Sequence, residues 1–336
     1  MSKPASLVNR REFIRQGAGI VAGAGAALAL ARVAKANAFA FDAEGFSKTD
    51  PKLIGYEEIK RFTSRQSEPR RLAVGPEQRL YVAGKNGVSI VDFEGGPAAE
   101  IGLASPARCI AVAADGTVYV GLRDHVEVFD RKGQRLAAWD SCGPKAWLTG
   151  LAVGENELYA ANAGERVVVR YDRTGKVLGR IGQKSLERNV PGLIVPSPYL
   201  DVKLGRDGLL RVNNPGRHRV ETYTTAGDLE LSWGAPSAAI EGFCGCCNPV
   251  GLALLPDGRC ITCEKGLPRV KVYSPEGKFE SVIAGTESFP RNAKAGALND
   301  KSDGVLGGLD AALDAEGRVY VLDLVAGEIR VMRRKA

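Results

Sequence analysis

Three cysteines crowd four positions in Phe243-Cys244-Gly245-Cys246-Cys247-Asn248-Pro249, and Cys260-Ile261-Thr262-Cys263 follows. Thiolates ligate soft metals and carry redox chemistry, so this segment reads first as a site. A four-cysteine centre would need its sulfurs on one side. If Asp257-Gly258 is the turn of a hairpin, Leu255 faces Cys260 and Leu252 faces Cys263. Residues three apart on a strand also point to opposite faces, so Cys260 reads as a core thiol while Cys263 can still approach the loop. The candidate ligands are then Cys244, Cys246 and Cys247. Three chemistries stay open for them: a structural disulfide of an oxidising compartment, a thiolate metal or iron–sulfur site, and a free redox thiol. The disulfide is the plainest of the three. Cys142 lies in another loop and is a further disulfide partner, Cys109 reads as core, and seven cysteines leave at least one unpaired. Lys265, in Glu264-Lys265-Gly266, approaches the same loop, where a cation would favour thiolate; the bland alternative is a surface ion pair.

Other chemistry is scarce. The chain holds only two histidines, His125 and His218, and no P-loop, Gly-x-Ser-x-Gly elbow, dinucleotide fingerprint or haem-attachment motif. The net charge of +7 is not evenly spread. Residues 1–38 carry Lys3, Arg10, Arg11, Arg15, Arg32 and Lys35 against Glu12 alone, leaving +2 for everything else. That is too little for a nucleic-acid footprint, so nucleic acid is not an expected partner.

Those cations belong to an address. Asn9-Arg10-Arg11-Glu12-Phe13-Ile14-Arg15 resembles the twin-arginine export motif, and a short Ala/Gly-rich apolar run, Gly17 to Ala31, follows it. Fifteen residues fall short of the roughly 20 that span a bilayer but suit a cleavable signal. Ala36-Asn37-Ala38 offers the cleavage site. The expected organisation is a signal peptide over 1–38, a linker over 39–53 and a domain over 54–334. The expected location is the periplasm, with the membrane met only in transit.

The elements that must position the cysteines repeat. An apolar triplet, a Gly turn, a second apolar strand and a third ending near Asp or Tyr recur six times. The triplets are Leu72-Ala73-Val74, Ile110-Ala111-Val112, Leu151-Ala152-Val153, Val202-Lys203-Leu204, Leu252-Ala253-Leu254 and Ala311-Ala312-Leu313. Their spacings are 38, 41, 51, 50 and 59 residues, near the period of about 40 expected for a four-stranded propeller blade. Period-two alternation marks strands, and Asp-Gly turns account for glycine at 41 of 336 residues, above the usual share of about 7%. Fourth strands follow, such as Arg135-Leu136-Ala137-Ala138-Trp139 and Leu229-Glu230-Leu231-Ser232-Trp233, but the chain ends before a sixth. Tyr56-Glu57-Glu58-Ile59-Lys60-Arg61-Phe62 can supply it from the N-terminus. The expected fold is all-β, a six-bladed β-propeller closed by an N-terminal strand.

Units such as Ile110-Ala111-Val112-Ala113-Ala114-Asp115-Gly116-Thr117-Val118-Tyr119-Val120 and Arg269-Val270-Lys271-Val272-Tyr273-Ser274-Pro275-Glu276-Gly277-Lys278 resemble the NHL-repeat family of six-bladed propellers. That resemblance covers residues 54–334 and implies fold more than function, since the family spans binding scaffolds, sensors and enzymes. Zinc lyases of this propeller class use several histidines around the channel, which this chain lacks. Six-bladed calcium-dependent lactonases use oxygen ligands instead, and the residues at comparable rim positions are Asp201, Asn248, Asp303 and Asp310. Asp303 sits in Asn299-Asp300-Lys301-Ser302-Asp303-Gly304, which also suits Asx turns. Three long connections, Gly182–Leu200, Gly234–Pro249 and Gly285–Leu309, build one rim. The leading expectation is an exported, monomeric binding or accessory module holding a small molecule or protein at that rim. The rival is an enzyme, either a metal-dependent hydrolase or lactonase with a divalent cation or a thiol oxidoreductase.

Overall fold

A computed structural model describes residues 43–295 and 307–336. The expected signal segment therefore lies outside the described residues, as does Asp303. The compact unit is Glu44–Ala336.

Six antiparallel four-stranded sheets make up this unit. Five are consecutive in the chain: blade 1 (residues 69–101), blade 2 (109–138), blade 3 (148–181), blade 4 (202–233) and blade 5 (251–284). Blade 6 takes three strands from the C-terminus and its fourth from Tyr56–Thr63, which pairs antiparallel with Glu328–Arg334. The expected six-bladed propeller and its N-terminal closure are what the chain forms. Closure lets the first and last segments hold each other and removes two sheet edges.

Burial follows the repeat. Four of the six second strands sink a tyrosine between neighbouring blades, and Tyr81, Tyr119, Tyr159 and Tyr320 are all buried. Outermost strands such as Arg135–Ala138 are exposed along their whole length and short, which limits edge pairing. The turns also join blades. Gly175 in blade 3 sits on the Trp139 ring from blade 2, Gly277 in blade 5 on Trp233 from blade 4, and Gly95 in blade 1 on Phe62 of the N-terminal strand. At all three φ is positive and a Cβ would collide with the ring, so glycine is required for both backbone and space. Phe62 thus occupies the place in blade 6 that Trp139 and Trp233 hold in their own blades.

One register differs from expectation. Leu254, not Leu255, faces Cys260, and Gly251, not Leu252, faces Cys263. The loop has three residues, Pro256-Asp257-Gly258, closed by Leu255 N–H donating to Arg259 O at 2.9 Å. Proline starts a type I turn and Gly258, with φ at 88°, completes a bulge, so the loop is one residue longer than an Asp-Gly pair. The facing argument is unaffected. Cys260 packs with Trp233 and Tyr273, whereas Cys263 packs with Val270, Phe289 and Leu309.

Candidate functional site

The inner strands converge on Arg71, a buried arginine in the first strand of blade 1. Its Nη1 donates to Asp310 Oδ1 of blade 6 at 2.8 Å and lies 3.6 Å from Asp201 Oδ2. Nε donates to Thr149 O at 2.7 Å and Nη2 to Val250 O at 3.2 Å. One guanidinium thus spans the axis, because five N–H donors in a rigid fork can reach several strands at once. The two aspartates repeat one device. Asp310 Oδ2 accepts from Leu72 N in the next blade at 2.8 Å, and Asp201 Oδ2 accepts from Leu252 N in the next blade at 2.9 Å. Asp201 Oδ1 takes Val202 N and Lys203 Nζ. Burial works against the Arg71 charge, but the Asp201 and Asp310 carboxylates outweigh it and its pKa is raised. Burial likewise pushes the Asp310 carboxyl up, against the pull of Arg71.

Asp201 and Asp310 are therefore brought together, but around a cation of the protein's own. Every oxygen of both is occupied by Arg71, Lys203 or a backbone N–H. Asn248 is also spent: its Nδ2 donates to Cys244 O and Lys265 O, and its Oδ1 accepts from Lys265 N. These residues do not fit a divalent cation, which needs free oxygen ligands.

Above the Arg71 plug lies a small cleft. Arg70, Arg71 and Arg108 line it with Trp147, Thr149 and Tyr199, and among the described residues no carboxylate does. The Arg108 guanidinium stacks 3.8 Å from the Trp147 ring centroid, with Arg123 at 5.1 Å. Lys265 Nζ stands 4.3 Å from the centroid of Tyr199. Free space in this cleft is about 20 Å³, room for one water-sized group. The cleft opens sideways at Trp147 and Pro198 into a mainly apolar groove of about 360 Å³ that also holds Lys145, Val195, Pro196 and Ser197. Trp147 Nε1 and Ser197 Oγ are buried with no hydrogen-bond partner among the described residues. Buried orphan donors are rare in native proteins and here they border a cleft. Below the plug the channel is open and walled by the apolar triplets.

The cysteine loop flanks this mouth. Blade 5 positions it: buried Lys271 donates to Ile240 O at 2.9 Å and Gly242 O at 2.6 Å, and Arg269 donates to Ala238 O. Both cations meet the fully buried Glu264, at 2.7 and 2.9 Å. Burial lowers the Lys271 pKa to about 8 despite Glu264. Of the candidate trio, Cys246 and Cys247 are brought together, with sulfurs 3.2 Å apart, while Cys244 is not. Among the described residues no three His, Cys, Asp or Glu side chains converge as metal ligands would. Cys142 Sγ instead donates to Asp124 O at 3.0 Å, and burial pushes the Cys109 and Cys260 thiols up to about 12. All seven cysteines are free thiols here. Lys265 does pull the Cys246 pKa down, as its position in the sequence suggests. The hydrogen bond with Cys247 and burial outweigh it, so the net shift is upward.

Reasoning from the sequence missed Arg71, Arg108 and Trp147. A cation one residue before a buried apolar triplet was the available signal for Arg71, and Arg108, two residues before its own triplet, stands where Arg70 does in blade 1.

No family model matches the chain, and no curated protein matches it. Solved structures do. A streptogramin B lyase structure superposes with a TM-score of 0.56 at 14% identity, covering 83% of this chain and 98% of that one. Virginiamycin B lyase from Staphylococcus aureus gives 0.53 at 11% identity, covering 83% and 100%. A catalytically inactive histidine-to-alanine variant of that lyase with quinupristin gives 0.54 at 11% identity, covering 81% and 82%. At such identities the likeness concerns the fold, and what this chain shares with those lyases is the six-bladed β-propeller.

Proposed function

We propose that the chain is an exported NHL-like propeller that binds a small ligand with an acidic group and an apolar body at the mouth above Arg71. The carrying observation is the juxtaposition of a cleft lined by Arg70, Arg71 and Arg108 with an apolar groove, joined at Trp147. The acid group meets Arg70 and Arg108 while the body lies along Val195 and Pro196, and the Trp147 and Ser197 donors gain acceptors. Recognition of this kind needs a few polar groups set in an apolar wall. Guanidinium suits a carboxylate because the fork offers two parallel donors.

Trp147 reports its own site. Titration with aromatic or acyl carboxylates should change its fluorescence saturably, while the matched neutral amides should not. Arg108→Ala should weaken carboxylate binding by about tenfold or more, the loss of one charged hydrogen bond of about 1.5–3 kcal/mol. Equal binding of acids and amides would overturn the reading. Export rests on Arg10 and Arg11, and their joint replacement by lysine should hold the unprocessed chain in the cytoplasm, as cell fractionation would show.

An enzyme working through Asp201 and Asp310 is less well supported. Their oxygens hold Arg71, Lys203 and the inner strands together.

A further inference from the structure

We propose that Cys246 and Cys247 form a thiol–disulfide exchange site that takes small organic disulfides and closes reversibly into a vicinal disulfide. This goes beyond ligand binding at the mouth and does not depend on it.

Four observations carry it. Of the seven cysteines, all described, Cys246 alone is exposed. Its sulfur lies 3.2 Å from that of Cys247, which is 1% exposed and cannot be attacked first. Gly245 before the pair is exposed with φ at 85°, so the loop turns outward at the reactive position. The other thiols are poor competitors: Cys109, Cys142, Cys260 and Cys263 are buried and Cys244 half-buried. Access is what singles out Cys246, since its raised pKa slows attack at neutral pH without changing which sulfur is reached.

In the first step the Cys246 thiolate attacks one sulfur of the organic disulfide. A Cys246–sulfur bond forms, the organic S–S bond breaks, and one thiol leaves. Cys247 then gives up its proton and attacks Cys246 Sγ, forming the Cys246–Cys247 bond and expelling the second thiol. The two cysteines lose two electrons and two protons, and the organic disulfide gains both as two thiols.

Covalent geometry makes the product labile. Adjacent Cα atoms across a trans peptide are about 3.8 Å apart, shorter than the roughly 4.4–6.8 Å of relaxed disulfides. The only cis peptide among the described residues is Asn248-Pro249, so the Cys246-Cys247 link is trans. Strained disulfides have oxidising potentials and are readily reduced, which suits exchange and not stapling. The raised Cys246 pKa adds a signature: exchange accelerates as pH climbs through and above the ordinary thiol range.

The test uses the folded full chain, incubated with glutathione disulfide, alkylated and mapped by mass spectrometry. The expected wild-type product is the peptide lacking two hydrogens, linked Cys246 to Cys247, and carrying no glutathione. Cys247→Ser should accumulate a stable glutathione adduct on Cys246, and Cys246→Ser should leave Cys247 unmodified. Three wild-type results would overturn the proposal: a persistent adduct on Cys246, a bond to Cys244 or Cys263, or no reaction. Equal labelling of Cys247 in Cys246→Ser would do so too.

Discussion

Replacing Arg71 by methionine tests whether the inner strands are held by one buried cation. The substitution keeps much of the apolar stem and removes the guanidinium. Thr149 O and Val250 O lose their donors, and Asp310, 1% exposed, keeps among the described residues only Leu72 N as a hydrogen-bond donor. Asp201 retains Lys203 at 3.0 Å, so the uncompensated charge falls mainly on Asp310. Breaking a buried pair from one side costs about 3–5 kcal/mol, because the remaining charge is left in a poor dielectric. At about 2–4 °C per kcal/mol for domains of a few hundred residues, the melting temperature should drop by roughly 6–20 °C. The loss should depend on pH in a stated direction. Burial raises the Asp310 pKa, and removing Arg71 raises it further. Between its unfolded and folded values the native state holds the extra proton, so stability falls as pH rises through that window. Chemical denaturation at pH 5 and pH 8 should show a larger deficit at pH 8. Adding Asp310→Asn should recover part of it. A variant within 1 kcal/mol of wild type at both pH values would refute the view that Arg71 clamps the channel.

The Lys271 amine, lowered to about 8, predicts the opposite slope. Between pH 8 and 10.5 the unfolded chain holds a proton that the native one has lost, so wild type should gain stability relative to Lys271→Met as pH rises there, by paired denaturant melts. The same variant frees Ile240 O and Gly242 O, so hydrogen exchange across residues 234–249 should speed up. Gly277→Ala should cost about 2–4 kcal/mol, since its Cβ meets the Trp233 ring and its φ is left-handed, whereas Gly208→Ala, with open space around it, should cost only the backbone strain of about 1–2 kcal/mol.

Much of the architecture was legible in the chain itself. The triplets, the Leu-Tyr-Val second strands and the Gly turns are local patterns, each read within a dozen residues, and the repeat multiplies a weak signal by six. A terminal blade short of one strand and an unused strand at the start predict closure without any knowledge of distance. Cys260 and Cys263 on opposite faces follow from strand alternation alone, even with the turn misread by one residue. The site is another matter. Asp201 and Asp310 attract notice as oxygen ligands, and their type is compatible with that role. Only the assembled ring shows that Arg71, more than a hundred residues from either, has taken their free oxygens. Trp147 and Pro198 likewise meet only because blades 3 and 4 are neighbours. Cys244 and Cys246 look equivalent in sequence, yet Lys271 and Asn248 fold the loop so that Cys246 meets Cys247 instead. Strand type is set by side chains and their period. The chemistry of a residue at the axis depends on which six strands converge there, and that is decided when the ring closes.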